Sequence, residues 1–320
     1  MVHDFARIGA GTPGMAVLEP IVVNRPALNL GPLLKVVAFN ARGGRSTELL
    51  AQWLRKPPLA GAGLILLCEL DWRLPRSAQV ESAARLADSL ELSMAFGPEF
   101  GFARHGEPMG SFFGNAILSA WPLHEVKAIR LPIFYDWTRR HLPRNPRWWG
   151  ERVGQRGALR ASLSIADKRI TVAVAHLENR ATPVERAEQM RCILARIPAT
   201  GPAVLGGDLN TVTVDLRNAR QCAAFSLSLL CAPRRLREPR PWEPLFADLE
   251  RAGFQAQEAN QPMAPTFTPT ALWPRWLRPK LDWLAARELA VISGRSQVVS
   301  ASYRGRRFSD HDAVMCEIAL

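Results

Sequence analysis

Asp208 and Asn210 close the stretch "VLGGDLNT" (204–211), an apolar run broken by two glycines and finished by a carboxylate and a carboxamide. Alternate residues of a strand point to the same side, so both groups would face one place. Gly, Asp and Asn also make ordinary turns, and this motif by itself does not separate a turn from a reaction centre. The arrangement recurs along the chain, however. "KVVAFN" ends at Asn40, "LILLCE" at Glu69 and "TVAVAH" at His176. Asp282 sits inside the apolar "PKLDW", and Asp310 and His311 precede the last apolar run in "SDHDAVMCEI". A carboxylate ending "LILLC" needs a partner if it is buried. Strands that start and stop at one edge would gather these groups where sheet scaffolds carry sites.

These residue types suit one reaction. A hard divalent cation takes one or two carboxylates plus water and substrate phosphate, and Glu69 and Asp310 can supply them with the Asn40 amide oxygen alongside. A phosphodiester needs its charge neutralised, a water activated and the leaving oxygen stabilised. His311 can act near neutral pH if Asp282 fixes its tautomer.

The elements that must position them read as an alternation of short apolar runs and helices. Buried strands are expected at 33–40 and 64–69, with a helix near 46–56 between them. A helix is expected over 75–92, then strands at 112–119 and 124–131 and a strand pair over 158–178 turning at Asp167 and Lys168. Thr182, Pro183 and Glu185 have the spacing of a capped helix start; a strand over 202–210 follows. Helices near 217–231 and 242–252 precede two last strands, "PKLDWLAAR" and "SDHDAVMCEIAL". Residues 1–34 carry Pro and Gly without a period and are expected to be an irregular leader. Residues 35–320 then form a single α/β domain with mixed sheets.

The chain has 320 residues, 48% of them hydrophobic and 22% charged, enough for a sizeable core and too apolar for disorder. Its net charge of +12 draws anionic partners: nucleic acid, acidic lipid or a phosphorylated small molecule. Only five of the 41 basic residues are Lys, and Arg favours bidentate phosphate contacts. Five cysteines without a Cys-x-x-Cys pair argue against a disulfide framework or structural zinc. No signal peptide or membrane-length apolar run is visible, so a cytoplasmic protein, monomeric, is expected.

"VVAFNARGG", "LILLCEL", "GNAILSAWPL", "GALRASL", "VAVAHLEN", "VLGGDLNT", "KLDWLAAR" and "FSDHDAV" together resemble the endonuclease/exonuclease/phosphatase superfamily, in family order from residue 35 to the C-terminus. The resemblance implies a DNase I-like four-layer α/β/β/α sandwich of two packed mixed sheets, and a cofactor of Mg²⁺ or Mn²⁺. It implies Glu69 as main metal ligand with Asn40 and Asp310 close to the ion. Asp208 and Asn210 would orient water or stabilise phosphoryl oxygens, Asp282 would hold His311 at the phosphate, and His176 would bind phosphate or assist the leaving group. Arg156, before "GALRA", is the expected phosphate contact, and Asn115 in "GNAILS" is either structural or substrate-facing. "HLENRATPVERAEQM" further resembles uncharacterised bacterial members.

Basic, aromatic inserts at 136–156, 232–242 and 273–280 should set substrate choice. Interleaved Trp and Arg suit single-stranded nucleic acid and suit an anionic membrane surface as well; a third reading has them merely covering core. Nuclease action on nucleic acid is the leading expectation. A sphingomyelinase-like lipid phosphodiesterase is the alternative, and a non-catalytic anion-binding protein the third.

Overall fold

The computed structural model describes residues 19–103, 110–137, 151–165, 167–268 and 273–320. Most of the first basic insert, with Trp148 and Trp149, and residues 1–18 of the leader lie outside the described residues, as does the Cys231 side chain. The strands in chain order are β1 (Ile21–Val23), β2 (Leu33–Gly43), β3 (Leu64–Trp72), β4 (Ser93–Ala103), β5 (Ser111–Ser119), β6 (His124–Arg130), β7 (Glu151–Gly154) and β8 (Gly157–Ile165). They continue with β9 (Lys168–His176), β10 (Ala203–Asp208), β11 (Asp282–Arg287), β12 (Ala290–Val291), β13 (Gln297–Val299), β14 (Ser302–Tyr303), β15 (Arg306–Arg307) and β16 (Ala313–Ala319). The α-helices are α1 (Thr47–Leu54), α2 (Ser82–Leu90), α3 (Pro183–Leu194), α4 (Ala219–Cys231) and α5 (Leu245–Arg251).

Two mixed sheets form. The first runs β1-β4-β5-β3-β2-β16-β12, with β7 also on β4 and β13 on β16; the second runs β11-β10-β9-β8-β6. Among the described residues, parallel pairing is confined to β2 with β3 and β9 with β10. Period-two burial explains why the sheets stack. Val172 and Val174 of β9 and Leu284 and Ala286 of β11 join the core against the first sheet. Their neighbours Ala173, Ala175, Trp283 and Ala285 face the other way, onto Met190 and Ile193 of α3 and Phe246 and Leu249 of α5. Both faces of the second sheet are therefore buried, which requires the near-continuous apolar runs that the sequence shows. α1 and α2 cover the outer face of the first sheet through Leu50, Trp53 and Leu86. Four layers result: helices, sheet, sheet, helices.

Two expectations need correction, and one strand carried no expectation. Ile21–Val23, inside the stretch read as irregular, pairs with β4 at the sheet edge; three residues are too few to show a period. The helix read over 75–92 starts at Ser82, because Trp72 bridges to Glu81 and Pro75–Ser77 forms only a 3-10 turn. Strand β4 was hidden by Gly97, Pro98 and Gly101, which resemble turn residues. The helix start at Thr182 is a full capping box: Thr182 Oγ1 accepts from the Glu185 amide at 3.1 Å, and the Glu185 carboxylate accepts from the Thr182 amide at 2.7 Å.

The two glycines of "GGDLN" have separate reasons. A Cβ on Gly206 would lie 2.6 Å from Leu284 Cδ2 and 3.1 Å from Leu66 Cδ1, inside the contact between the sheets. At Gly207, with φ +133°, it would lie 2.2 Å from the Ala175 carbonyl oxygen of β9. Backbone cannot yield there as a side chain can. Gly207→Ala is expected to destabilise the fold by roughly 2–4 kcal/mol, read as a drop in the urea midpoint. A midpoint equal to wild type would show that this approach is relaxed in solution.

Candidate active site

The second sheet brings three polar side chains into one row by register alone. Asp208, the last residue of β10, lies opposite His176 of β9 on one side and Asp282 of β11 on the other. The first sheet contributes through irregularities. Cys68 and Glu69 of β3 together oppose Asn115 of β5, where the register shifts between Leu67 and Leu70. Glu99 is the extra residue of β4 where its pairing with β5 slips between Pro98 and Phe100. The β2–β3 ladder slips as well, between Asn40 and Gly43. Bulges bend a strand and re-aim a side chain. Glu69 also has φ +57° and Asn210 φ +49°, left-handed backbone that non-glycine residues adopt at a cost.

His311 Nδ1 lies 2.7 Å from Asp282 Oδ2, and its Nε2 is 3.7 Å from Asp208 Oδ2. The ring packs on Phe267, 4.9 Å between centroids. Burial alone would discharge the imidazole, but the Asp282 and Asp208 carboxylates outweigh it and hold its pKa at about 10. At neutral pH His311 is therefore an imidazolium, fitted to donate to a phosphate oxygen or a leaving group. Asp208 is pushed above the usual carboxylate range by burial and by Asp282 across the ladder, against the pull of His311 and His176.

His176 is held from behind. Arg156 Nη1 lies 2.8 Å from His176 Nδ1; a guanidinium only donates, so Nδ1 accepts and the ring proton sits on Nε2. That atom is 3.7 Å from both Glu69 Oε1 and Asp208 Oδ2. Glu99, which sequence reasoning missed, is the hub of this back wall. Its Oε1 accepts from Asn115 Nδ2 and from the Gly157 amide, each at 3.0 Å, and its Oε2 lies 3.2 Å from Arg156 Nη1. Asn115 is buried, with Nδ2 donating to Glu99 and the Gly157 carbonyl and Oδ1 left without a partner, and Arg156 is buried between Glu99 and Glu178, the latter 3.9 Å from its Nε.

The expected metal ligands are placed unequally. Glu69 keeps a carboxylate with 27% of its side chain open. Burial would raise its pKa, yet His176, Arg156, His311 and the Asn40 amide bring it below the usual range, so it is ionised. Asn40 turns Nδ2 to Asp208 Oδ2 at 3.0 Å and accepts from the Arg42 amide at Oδ1. Asp310 lies 3.6 Å from Arg42 Nε at the rim. Asp208, Asp282 and His311 have ligand atoms within 4.8 Å of one another, a set that could hold a metal ion. Asp282 Oδ1 is buried without a hydrogen-bond partner, beside an Asp208 already crowded by negative charge. An open, ionised Glu69 beside these buried carboxylates is an oxygen donor set that fits a hard cation, with water and substrate oxygens completing its shell. Asn210 directs Nδ2 to the Leu177 carbonyl at 2.9 Å and its amide to Asp208 Oδ1 at 3.0 Å, fixing the strand end.

Residues 37–311 match the profile of the endonuclease/exonuclease/phosphatase family. The chain belongs to this family. Its fold is the DNase I-like sandwich, shared with solved structures of low sequence identity. An endonuclease/exonuclease/phosphatase from Beutenbergia cavernae is 18% identical, with 91% of this chain and 72% of that one covered and a TM-score of 0.60. TDP2 of D. rerio, complexed with a single-strand DNA product, is 15% identical over 91% of this chain and 100% of that one, TM-score 0.55. A 3' phosphatase from Neisseria, bound to a product DNA hairpin, is 16% identical over 90% and 100%, TM-score 0.55. No curated protein matches the chain. Family membership makes a phosphoesterase hydrolase the coarse functional class. Among the described residues no helix is long and apolar enough to cross a membrane.

Proposed function

We propose that the protein is a divalent-metal-dependent phosphodiesterase acting on nucleic acid. The observation that carries this reading is the meeting of an ionised, partly open Glu69 with an imidazolium at His311 across a row of buried carboxylates. Glu69 would hold the cation, with Asp310 and the Asn40 oxygen available to it after local rearrangement; the cation would neutralise phosphate charge and polarise a bound water. His311 donates toward the phosphoryl or leaving oxygen, kept in position by Asp282. His176 presents Nε2–H to the same space, fixed by Arg156. Asp208 stands between the two imidazoles and, with Asn40 and Asn210 bonded to it, is the group placed to orient water. The net charge of +12 suits a polyanion, and two proteins of this fold hold DNA products.

A second reading rests on a separate feature. Trp242, Trp273 and Trp276 expose 40–48% of their surface in arginine-rich loops, which would suit an anionic membrane interface and hence a lipid phosphodiesterase.

The purified protein should be assayed with Mg²⁺ or Mn²⁺ and with EDTA on single- and double-stranded DNA, RNA, sphingomyelin vesicles, phosphoinositides and bis(p-nitrophenyl) phosphate. Metal-dependent cleavage of nucleic acid, lost in EDTA, is the expected result. Cleavage confined to vesicles would replace the first reading by the second. Full activity in EDTA would remove the metal from both.

A further inference from the structure

One guanidinium beside the site has no anionic partner. Arg156 is matched by Glu99 and Glu178, and Arg76 by a bidentate pair with Asp71 at 2.6 and 2.8 Å. Arg152, on β7 opposite Phe102, has no carboxylate within 4 Å among the described residues, and its Nε is buried without a hydrogen-bond partner. Instead its guanidinium carbon lies over aromatic rings: 3.8 Å from the centroid of Phe100, 5.6 Å from Phe102 and 5.5 Å from Trp137. Burial and the neighbouring Arg156 and Arg76 cations bring its pKa down to about 9, against the more distant pull of Glu99 and Glu178. Ring faces offset only part of what a guanidinium loses on leaving water. An anion with acceptor oxygens would supply the hydrogen-bond partner that Nε lacks.

Phe100 and Trp137 also carry Arg156, at 5.8 and 5.7 Å, and Arg156 touches His176. Arg152 therefore shares two rings with the guanidinium that touches His176. Resting on the phosphodiesterase reading above, we propose that Arg152 is a second phosphate-binding subsite, taking the phosphate group next to the one being cleaved. The rings hold the guanidinium plane still, and its fork matches two phosphate oxygens. The phosphate can be the next backbone diester of an oligonucleotide or a terminal monoester.

The test compares wild type, Arg152→Met and Arg152→Lys on three substrates: bis(p-nitrophenyl) phosphate with one phosphate, tetrathymidylate with neighbouring diesters, and dithymidylate bearing a 5'-phosphate. Arg152→Met is expected to lower kcat/KM on a two-phosphate substrate at least ~10-fold more than on the one-phosphate substrate. Which two-phosphate substrate is affected tells diester from monoester. Arg152→Lys keeps a cation on the ring faces, and so the fold, but loses the fork; it should show about a third to a tenth of the wild-type value on that substrate. Equal losses on all three substrates, or a Lys variant with no selective loss, overturn the subsite. Inorganic pyrophosphate binding by calorimetry, without turnover, separates this proposal from the one beneath it. Binding weakened about tenfold by Arg152→Met in a protein that cleaves none of the substrates supports the subsite and removes the enzymatic reading. Pyrophosphate binding unaffected by Arg152→Met overturns the subsite whatever the activity.

Discussion

Glu69→Gln is expected to lower metal-dependent turnover by ~10³-fold or more while the protein stays folded. The side chain is partly open and the amide is isosteric, so no cavity forms; what the fold loses is the attraction of the carboxylate to His176, Arg156 and His311. The left-handed backbone at this position is equally strained with either residue. Turnover and Mn²⁺ affinity should fall together, with the circular dichroism spectrum of wild type and a modestly lower melting temperature. Full turnover in the variant would mean that Glu69 holds no ion the reaction needs.

Asp282→Asn should cost about 10²- to 10⁴-fold in kcat, because it removes the carboxylate that orients and charges His311. It also changes how stability depends on pH. His311 rises from 6.5 to about 10 on folding, so its contribution is complete below 6.5 and is lost as pH climbs through about 10. Lys280 runs the other way. Fully buried, 4.6 Å over Trp283 and donating to the Asp282 carbonyl, it falls from 10.5 to about 7, since burial outweighs the Asp282 charge. Its penalty is full below about 7 and relieved as pH rises to 10.5. The two slopes oppose each other in wild type between about 7 and 10. Lys280→Met should melt at falling temperature across that window, and Asp282→Asn at rising temperature. Equal slopes in the two variants would refute both protonation assignments.

How much of this was visible beforehand depended on where each group sits in its strand. Asn40, Glu69, His176 and Asp208 end long apolar runs, and a polar residue there stands out against its neighbours. Asp282 and His311 were legible for the same reason from the opposite direction, at strand starts. Glu99 was not, because it lies inside a strand between Pro98 and Phe100 and enters the site only by a bulge. A bulge has no period to detect. Arg156 showed as a basic residue near a strand, but its burial between two carboxylates makes it a support for His176 as much as a contact for phosphate. Arg152 needed the aromatic wall of β4 to be seen at all. The motif "VERAEQM" also gains a reason: Arg186 is fully buried and forks onto Glu243 at 2.5 and 3.1 Å, while Gln189 accepts from the Glu178 amide. Those contacts clamp the loop that follows His176.

The reactive groups are divided between two separately hydrogen-bonded ribbons: Asn40, Glu69 and Glu99 ride on one, His176, Asp208 and Asp282 on the other. Neither ribbon alone owns a complete set of charges. Chemistry here is thus a property of the seam, and it comes into being only when the halves close with ångström fidelity. Gly206, with room for no Cβ between Leu66 and Leu284, sets how closely those halves approach from a position that holds no functional group whatever.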